Sequence, residues 1–403
     1  MDKKLLSLTF IFAILAVGMG AGFIVGKSSI AGQTTSDIRE FTDISKFFSK
    51  KPSLSLLEEG INVIDAKYAD RDDINRDDLF YGAMSGMLKA LNDPYSVFLE
   101  PQDTKIFQED VGGIFEGIGA EIGIRDETLT VISPLKDNPA ERAGVKAGDK
   151  ILYVDGEDTA GISLDKAVQI IRGKKGSTVV LTISREGLED NLKIPVVRDT
   201  IKIPIIEWNK EGDDIAYIAF SHFTETAAAD FENVAHEILQ SDARRIILDL
   251  RNNPGGFLEI AVDIAGWFME PEEIVLIEER RRESKTKSYK TSGSAALSDF
   301  PLVVLINEGS ASPAEILAGA LRDNRGISLI GGTTFGKGSV QELVNLSDGS
   351  SIKITIAKWL TPNGTSIEDN GLAPDIVVEM TQEIFDTDGD VQLQRAIEVV
   401  NAL

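Results

Sequence analysis

A chain of 403 residues has room for two or three domains, each with a core of its own. Its 65 acidic against 41 basic residues give a formal charge of −24, which repels phosphate backbones and argues against nucleic acid as a partner. Cysteine is absent, which excludes disulfides, thiolate metal sites and cysteine nucleophiles.

The first element is Leu5 to Gly26, "LLSLTFIFAILAVGMGAGFIVG", 22 residues without a charge behind Lys3 and Lys4. At ~1.5 Å per residue it reaches roughly 33 Å, enough to cross a hydrocarbon core. A cleaved signal peptide would have a shorter apolar run and an A-x-A site, so residues 1–27 are expected to be an uncleaved transmembrane anchor. The basic flank is N-terminal, which places the rest of the chain outside the cytoplasm. Residues 28–36 read as a polar tether, and 37–110 as a helical region. Within it, Leu79, Ala83, Met87 and Leu91 form a stripe expected to be buried, and Asn92-Asp93-Pro94 stops the helix.

Residues 111–198 change texture to short strands punctuated by glycine. "GIGAEIGI" and "LTVISPL" are strand-like, "NPAERAGV" is a brief helix ended by Gly144, and "SLDKAVQIIRG" is a helix opening at Ser163. "STVVLTISREG" closes the unit with alternation. This order resembles a PDZ domain. The resemblance implies that Gly117-Ile118-Gly119-Ala120 is a carboxylate-binding loop, with Leu164 and Val168 of the helix lining the peptide groove. Small residues there let successive N–H groups converge on a terminal carboxylate, while a strand edge takes the peptide.

From Ile201 onward strands and helices alternate. "IAYIAF", "RRIILDL", "PLVVLI" and "GISLIGG" are buried-strand runs, and helical patterns lie between them, which argues for an α/β core over 199–380. A terminal helix closes the chain within 381–403. "EERRRESKTKSYK" (278–290) reads as a solvated hairpin or loop, and "DTDGD" (386–390) as the cap of the last helix, its glycine being misplaced for a calcium loop.

Three glycine-bearing turns follow strands in this core: "LDLRNNPGGF" (248–257), "NEGSASPAEI" (307–316) and "GGTTFGKGSVQ" (331–341). The third is no P-loop, because Gly338 stands where Ser or Thr must hold magnesium. In the second, Ser312, Pro313 and Glu315 spell a capping box. Ser312 is also placed as a nucleophile beside a helix N-terminus. Of the two histidines, His236 sits mid-helix; His222 follows a strand, where a lone histidine is more often structural, and stays an alternative to the remaining candidate base, Lys337, flanked by Gly336 and Gly338. A lysine base must be neutral, which burial can arrange.

"LDLRNNPGG", "GSASPAEI" and "GGTTFGKGSVQ" after a PDZ domain, with "NDPYSVFLEP" before it and "TPNGTSIEDNGLAPDIVV" behind, resemble the C-terminal processing peptidases, or tail-specific proteases. The resemblance implies a crotonase/ClpP-like core with an inserted PDZ domain, Ser312 as nucleophile, Lys337 as general base and Gln341 as orienting neighbour. It implies protein substrates with exposed apolar C-termini, a homodimer through N-terminal helices and terminal segments, and no cofactor or metal. Pro313 has no N–H, so the oxyanion donors are expected to be Ser312 itself and Gly255 or Gly256. The competing reading is a PDZ-type binding module on an inactive scaffold.

Overall fold

The computed structural model describes residues 54–403, apart from 126, 186, 189, 203–204, 281–284, 382–383, 386 and 388. The expected anchor and tether lie outside these residues. Among the described residues no helix is long and apolar enough to cross a membrane.

The N-terminal part comprises α1 (Leu54–Lys67), α2 (Arg76–Lys89), the short β1 (Val97–Leu99) and α3 (Pro101–Gly112). Asn75 caps α2 by accepting the Asp77 amide at 3.0 Å. Of the stripe expected to be buried, Leu79 and Ala83 are half-buried, whereas Met87 and Leu91 are each 55% exposed. The covered face is the neighbouring one, where Leu88 is buried and the Tyr81 and Phe98 rings stand 5.6 Å apart, because β1 packs there.

The next unit holds β2 (Ile114–Gly117), β3 (Ala120–Arg125), β4 (Thr128–Pro134), α4 (Pro139–Arg142), β5 (Lys150–Val154) and β6 (Glu157–Asp158). It continues through α5 (Leu164–Ile171), β7 (Thr178–Ser184), β8 (Leu192–Val197) and β9 (Asp199–Lys202). Its main sheet runs β3-β4-β5-β7-β8, so β3 is an outer strand. β2 and β9 pair antiparallel and tie the entering chain to the leaving one. A separate core, including Ile118, Val131, Ile151, Ala167, Leu181 and Val196, marks this as an independent folding unit.

The core domain follows with β10 (Ile206–Glu211), β11 (Ile215–Phe220), α6 (Ala227–Gln240), β12 (Arg245–Asp249), α7 (Leu258–Phe268), β13 (Ile274–Arg280) and β14 (Lys285–Lys290). Then come β15 (Leu302–Ile306), α8 (Pro313–Arg325), β16 (Ser328–Gly331), β17 (Ser339–Asn345), β18 (Ser351–Leu360), β19 (Ile376–Val377) and α9 (Val391–Asn401). Six strands form a sheet in the order β10-β11-β12-β15-β16-β19, parallel except for the first pair. A second sheet joins β1, β18, β13 and β14, with β17 on β18.

β15 shows why its sequence is apolar throughout. Leu302, Val304 and Ile306 enter the cluster formed with α6, α7 and α8, whereas Val303 and Leu305 enter the cluster holding Ala396 and Val400 of α9. Both faces of the sheet are covered, so no position can be polar. Asp390 caps α9 by accepting the Leu393 amide at 2.9 Å and pairs with Arg251 at 2.7 Å. Of the 278–290 segment, 278–280 lie in β13 and 285–290 in β14, which pair antiparallel, but Glu278 is fully buried and accepts the Tyr289 hydroxyl at 2.6 Å.

Candidate active site

Three loops meet beyond the carboxyl ends of the parallel strands, where open α/β sheets place their ligands. The first two are fastened by a reciprocal amide pair. Asn307 Nδ2 donates to Asn252 Oδ1 at 2.9 Å, and the Asn252 amide donates to Asn307 Oδ1 at 2.8 Å. Asn253 reinforces this from within, donating to the Phe220 carbonyl at 2.8 Å and accepting the Gly255 amide at 2.9 Å.

Ser312 occupies φ 57° and ψ −119°, a left-handed backbone that a non-glycine residue adopts at a cost of about 1–3 kcal/mol. It is the N-cap of α8, with Pro313 at the first helical position and Glu315 closing the capping box. This strained residue stands at the junction between loop and helix and is itself buried, at 2% exposure. α8 is buried from Pro313 to Leu321, which fixes its N-terminus in place.

Glu315 does more than cap. Its carboxylate is fully buried and accepts the amides of Ser312 at 2.8 Å, Gly336 at 2.8 Å and Lys337 at 3.1 Å, and the Thr334 hydroxyl at 2.6 Å. Burial pushes this carboxyl above its ordinary range, and the four donors oppose that shift. The sequence marks Glu315 only as a helix-capping residue. Its one further signal is a lone charge inside the apolar run "PAEILAGAL".

The same contact bears on the amides expected to serve an oxyanion. The Ser312 amide is committed to Glu315, and the Gly255 amide to Asn253. The Gly256 amide donates to no group among the described residues. A Cβ on Gly255 would lie 3.1 Å from Ser312 Cβ and 2.7 Å from Pro313 Cδ, so this turn presses directly against the serine. A Cβ on Gly256 would come within 2.2 Å of the Phe223 carbonyl oxygen.

Lys337 has no exposed surface, and its Nζ makes no hydrogen bond to Ser312 or to any other group among the described residues. Burial holds its pKa well below the usual lysine range; the nearby Lys353 acts in the same direction, and Glu315 and Asp93 oppose it. The flanking glycines have a steric reason. A Cβ on Gly338 would meet the Glu368 amide nitrogen at 2.7 Å, and one on Gly336 the Gly371 amide nitrogen at 2.9 Å. Gln341 is buried too, donating to Ser339 Oγ at 2.8 Å and Thr355 Oγ1 at 3.4 Å while its Oε1 accepts nothing. A buried donor and a buried acceptor without partners are uncommon in native proteins, and here the two belong to neighbouring positions of one loop and strand. Burial lowers the pKa of His222, and no hydrogen bond links it to Ser312. His236 is an exposed helical residue 3.7 Å from Glu232.

In the smaller domain the amides of Ile118 and Gly119 donate to no group among the described residues, and their carbonyls accept from Ala140 at 2.7 Å and Leu135 at 2.9 Å. Gly119 needs φ 70°, with Asn138 only 2.5 Å from where a Cβ would sit. Gly117 ends β2, Ala120 begins the outer strand β3, and Leu164 and Val168 are partly exposed on α5.

This architecture defines a serine-type peptidase carrying a built-in peptide-recognition domain. Residues 214–378 match peptidase family S41, residues 107–184 match the PDZ domain, and residues 15–104 match the activating protease CtpB N-terminal domain. The chain belongs to the S41 carboxy-terminal processing proteases. It is 35% identical over 396 residues to carboxy-terminal processing protease CtpB of Bacillus subtilis (strain 168), covering 96% of this chain and 81% of that one. Carboxy-terminal processing protease CtpA of the same strain is 37% identical over 380 residues, 94% of this chain and 78% of the relative. Among solved structures, the photosystem II D1 C-terminal processing protease matches with a TM-score of 0.51 and 28% identity, over 82% of this chain and 94% of that one. A putative S41 protease from Bacteroides fragilis shares the fold, with a TM-score of 0.54, 16% identity, and coverage of 88% and 98%.

Proposed function

We propose that Ser312 is the nucleophile, Lys337 the general base and Gln341 the residue that orients it, on a crotonase/ClpP-like core. The observation that carries this reading is the buried, unpaired Nζ of Lys337, whose backbone shares the Glu315 carboxylate with Ser312. Neutral Nζ takes the Ser312 Oγ proton as Oγ bonds to the scissile carbonyl carbon, and the carbonyl electron pair moves onto oxygen. The Gly256 N–H is the donor open to that oxyanion. Collapse expels the amine, which leaves with the proton held by the Lys337 ammonium. Water, deprotonated by the neutral Lys337 amine, then attacks the ester carbonyl, and the ammonium returns its proton to Ser312 Oγ as the acyl group leaves as a carboxylic acid. The steps need no cofactor. Contact between base and hydroxyl tightens when substrate is bound, as is common for catalytic hydrogen bonds.

The PDZ loop 117–120, with Leu164 and Val168, is assigned to exposed apolar C-termini of protein substrates. Residues 1–27 are assigned as a membrane anchor, with the domains outside the cytoplasm. Leu56, Leu57, Ile61 and Ile64 leave an apolar face of α1 exposed, which supports a homodimer contact through the N-terminal helices.

Ser312→Ala and Lys337→Ala should both abolish cleavage of an unfolded polypeptide while His222→Ala stays active. Activity surviving in Lys337→Ala but lost in His222→Ala would replace the dyad by a histidine mechanism. A cysteine placed in the C-terminal helix should react with a membrane-impermeant maleimide on intact protoplasts; protection from the reagent would refute the assigned orientation.

A further inference from the structure

The segment Asn92–Ser96 belongs to the N-terminal part of the chain, yet it forms a wall of the lysine site. Asp93 pins this turn internally, accepting the Tyr95 amide at 3.0 Å and the Ser96 hydroxyl at 2.5 Å. Ser96 Oγ in turn accepts the Thr355 amide at 3.0 Å, which fastens the turn to β18. Thr355 is the residue whose hydroxyl accepts from Gln341. The outcome is a tyrosine ring with its centroid 5.3 Å from Lys337 Nζ.

We propose that Tyr95 is a positioning residue for peptide-bond cleavage: its ring seals the Lys337 amine from water and keeps it neutral and free to take the serine proton. The inference rests on the dyad reading above. It also gives the N-terminal part of the chain a share in the catalytic centre.

A ring at this distance also attracts an ammonium, which would act in the opposite direction. Exclusion of water is the larger effect, since burial moves lysine by as much as ~3–5 pKa units. The other charged groups near Nζ are Lys353 of β18, which disfavours the ammonium, and Glu315 of α8 and Asp93 of the turn, which favour it. Gln341 adds an uncharged amide from β17. None of these charges is removed with the ring, and Asp93 keeps its hydrogen bond to the Tyr95 backbone amide, which no side-chain substitution deletes.

The test is the pH dependence of kcat/KM for the full chain, using an internally quenched fluorogenic peptide with an apolar free C-terminus. Tyr95→Phe keeps the ring and should leave the acid limb where it is. Tyr95→Ala opens the site and should move that limb up by at least one pH unit, lowering activity at pH 7 roughly tenfold or more while the alkaline plateau survives. Tyr95→Gln refills part of the ring's space with a polar group and should move the limb in the same direction. It serves as the measurement if the alanine variant does not fold. Lysine labelled with ¹³C at Cε, followed by NMR in Ser312→Ala protein, should show the same displacement without turnover. An unmoved limb in the folded variants, or one moved to lower pH, overturns the sealing role. Cleavage surviving in Lys337→Ala overturns the dyad and this inference together. An inactive Lys337→Ala beside an unmoved Tyr95→Ala limb overturns this inference alone.

Discussion

The Glu315 carboxylate accepts the backbone N–H of Lys337 at 3.1 Å, so a residue of the helix behind the serine holds the loop that carries the candidate base. It also takes the amide of Ser312 and two donors from Thr334 and Gly336. One buried side chain therefore ties the Ser312 and Lys337 segments together, adding to the β15–β16 pairing and to the Phe335 amide on the Ser310 carbonyl at 3.0 Å.

Replacing Glu315 by Gln preserves shape but turns one end of the group into a donor facing N–H or O–H donors. Each buried polar group left unsatisfied costs ~1–3 kcal/mol. Glu315→Gln should therefore lose about 2 kcal/mol or more of stability, together with most of the activity. Urea unfolding in a Ser312→Ala background checks the first part; a wild-type midpoint would show that the carboxylate is dispensable.

Lys337 makes stability depend on pH. Its folded pKa lies well below the ordinary lysine value because the amine is buried. Between those two values the unfolded chain binds the proton and the folded chain does not, so stability rises with pH across that window. Below the folded pKa the folded state must hold a buried ammonium, and the penalty is complete. Lys337→Met should therefore raise the melting temperature most at acid and neutral pH, the gain shrinking as pH approaches ~10.4, the unperturbed lysine value. A gain that does not change with pH would mean that the amine is not desolvated.

Gly256 cannot be altered quietly. Its φ of 142° and the 2.2 Å approach of a Cβ to the Phe223 carbonyl predict that Gly256→Ala destabilises the turn. The loss should exceed the ~1–3 kcal/mol of a strained backbone alone, because backbone atoms must also move. Wild-type thermal unfolding in Gly256→Ala would show that the turn relaxes freely.

The PDZ loop yields a prediction through charge. If the free amides of Ile118 and Gly119 receive a terminal carboxylate, amidating the peptide removes the charge they complement. Tail binding should weaken by about 1.5–3 kcal/mol, or roughly 10- to 150-fold. Ser312→Ala protein should bind the free acid as wild type does. Equal affinity for acid and amide, measured by fluorescence anisotropy, would remove this loop as the source of tail recognition.

Short-range features were legible in the residues. The Ser312–Glu315 capping box, the helix start at Ser163, whose hydroxyl accepts the Lys166 amide at 3.3 Å, and the Asp390 cap each join groups three positions apart. Such contacts depend on local backbone geometry, which the sequence alone encodes. The alternation of strand and helix and the apolar run of β15 were legible for the same reason, since periodicity records which faces must be covered.

Only tertiary structure decided what covers them. The stripe through Met87 and Leu91 has helical spacing, but β1 packs on the adjacent face and leaves both residues exposed. The capping box was readable, yet nothing local reveals that its carboxylate also takes the amide of Lys337 from a distant loop. Tyr95 stands in a motif far from Lys337 in the chain, and its ring reaches the amine only because Asp93 and Ser96 fasten their turn to β18. Sequence specifies the groups and the conformations their neighbours impose. Which buried donor meets which distant acceptor, and which face loses its water, is decided when separate segments compete for the same space.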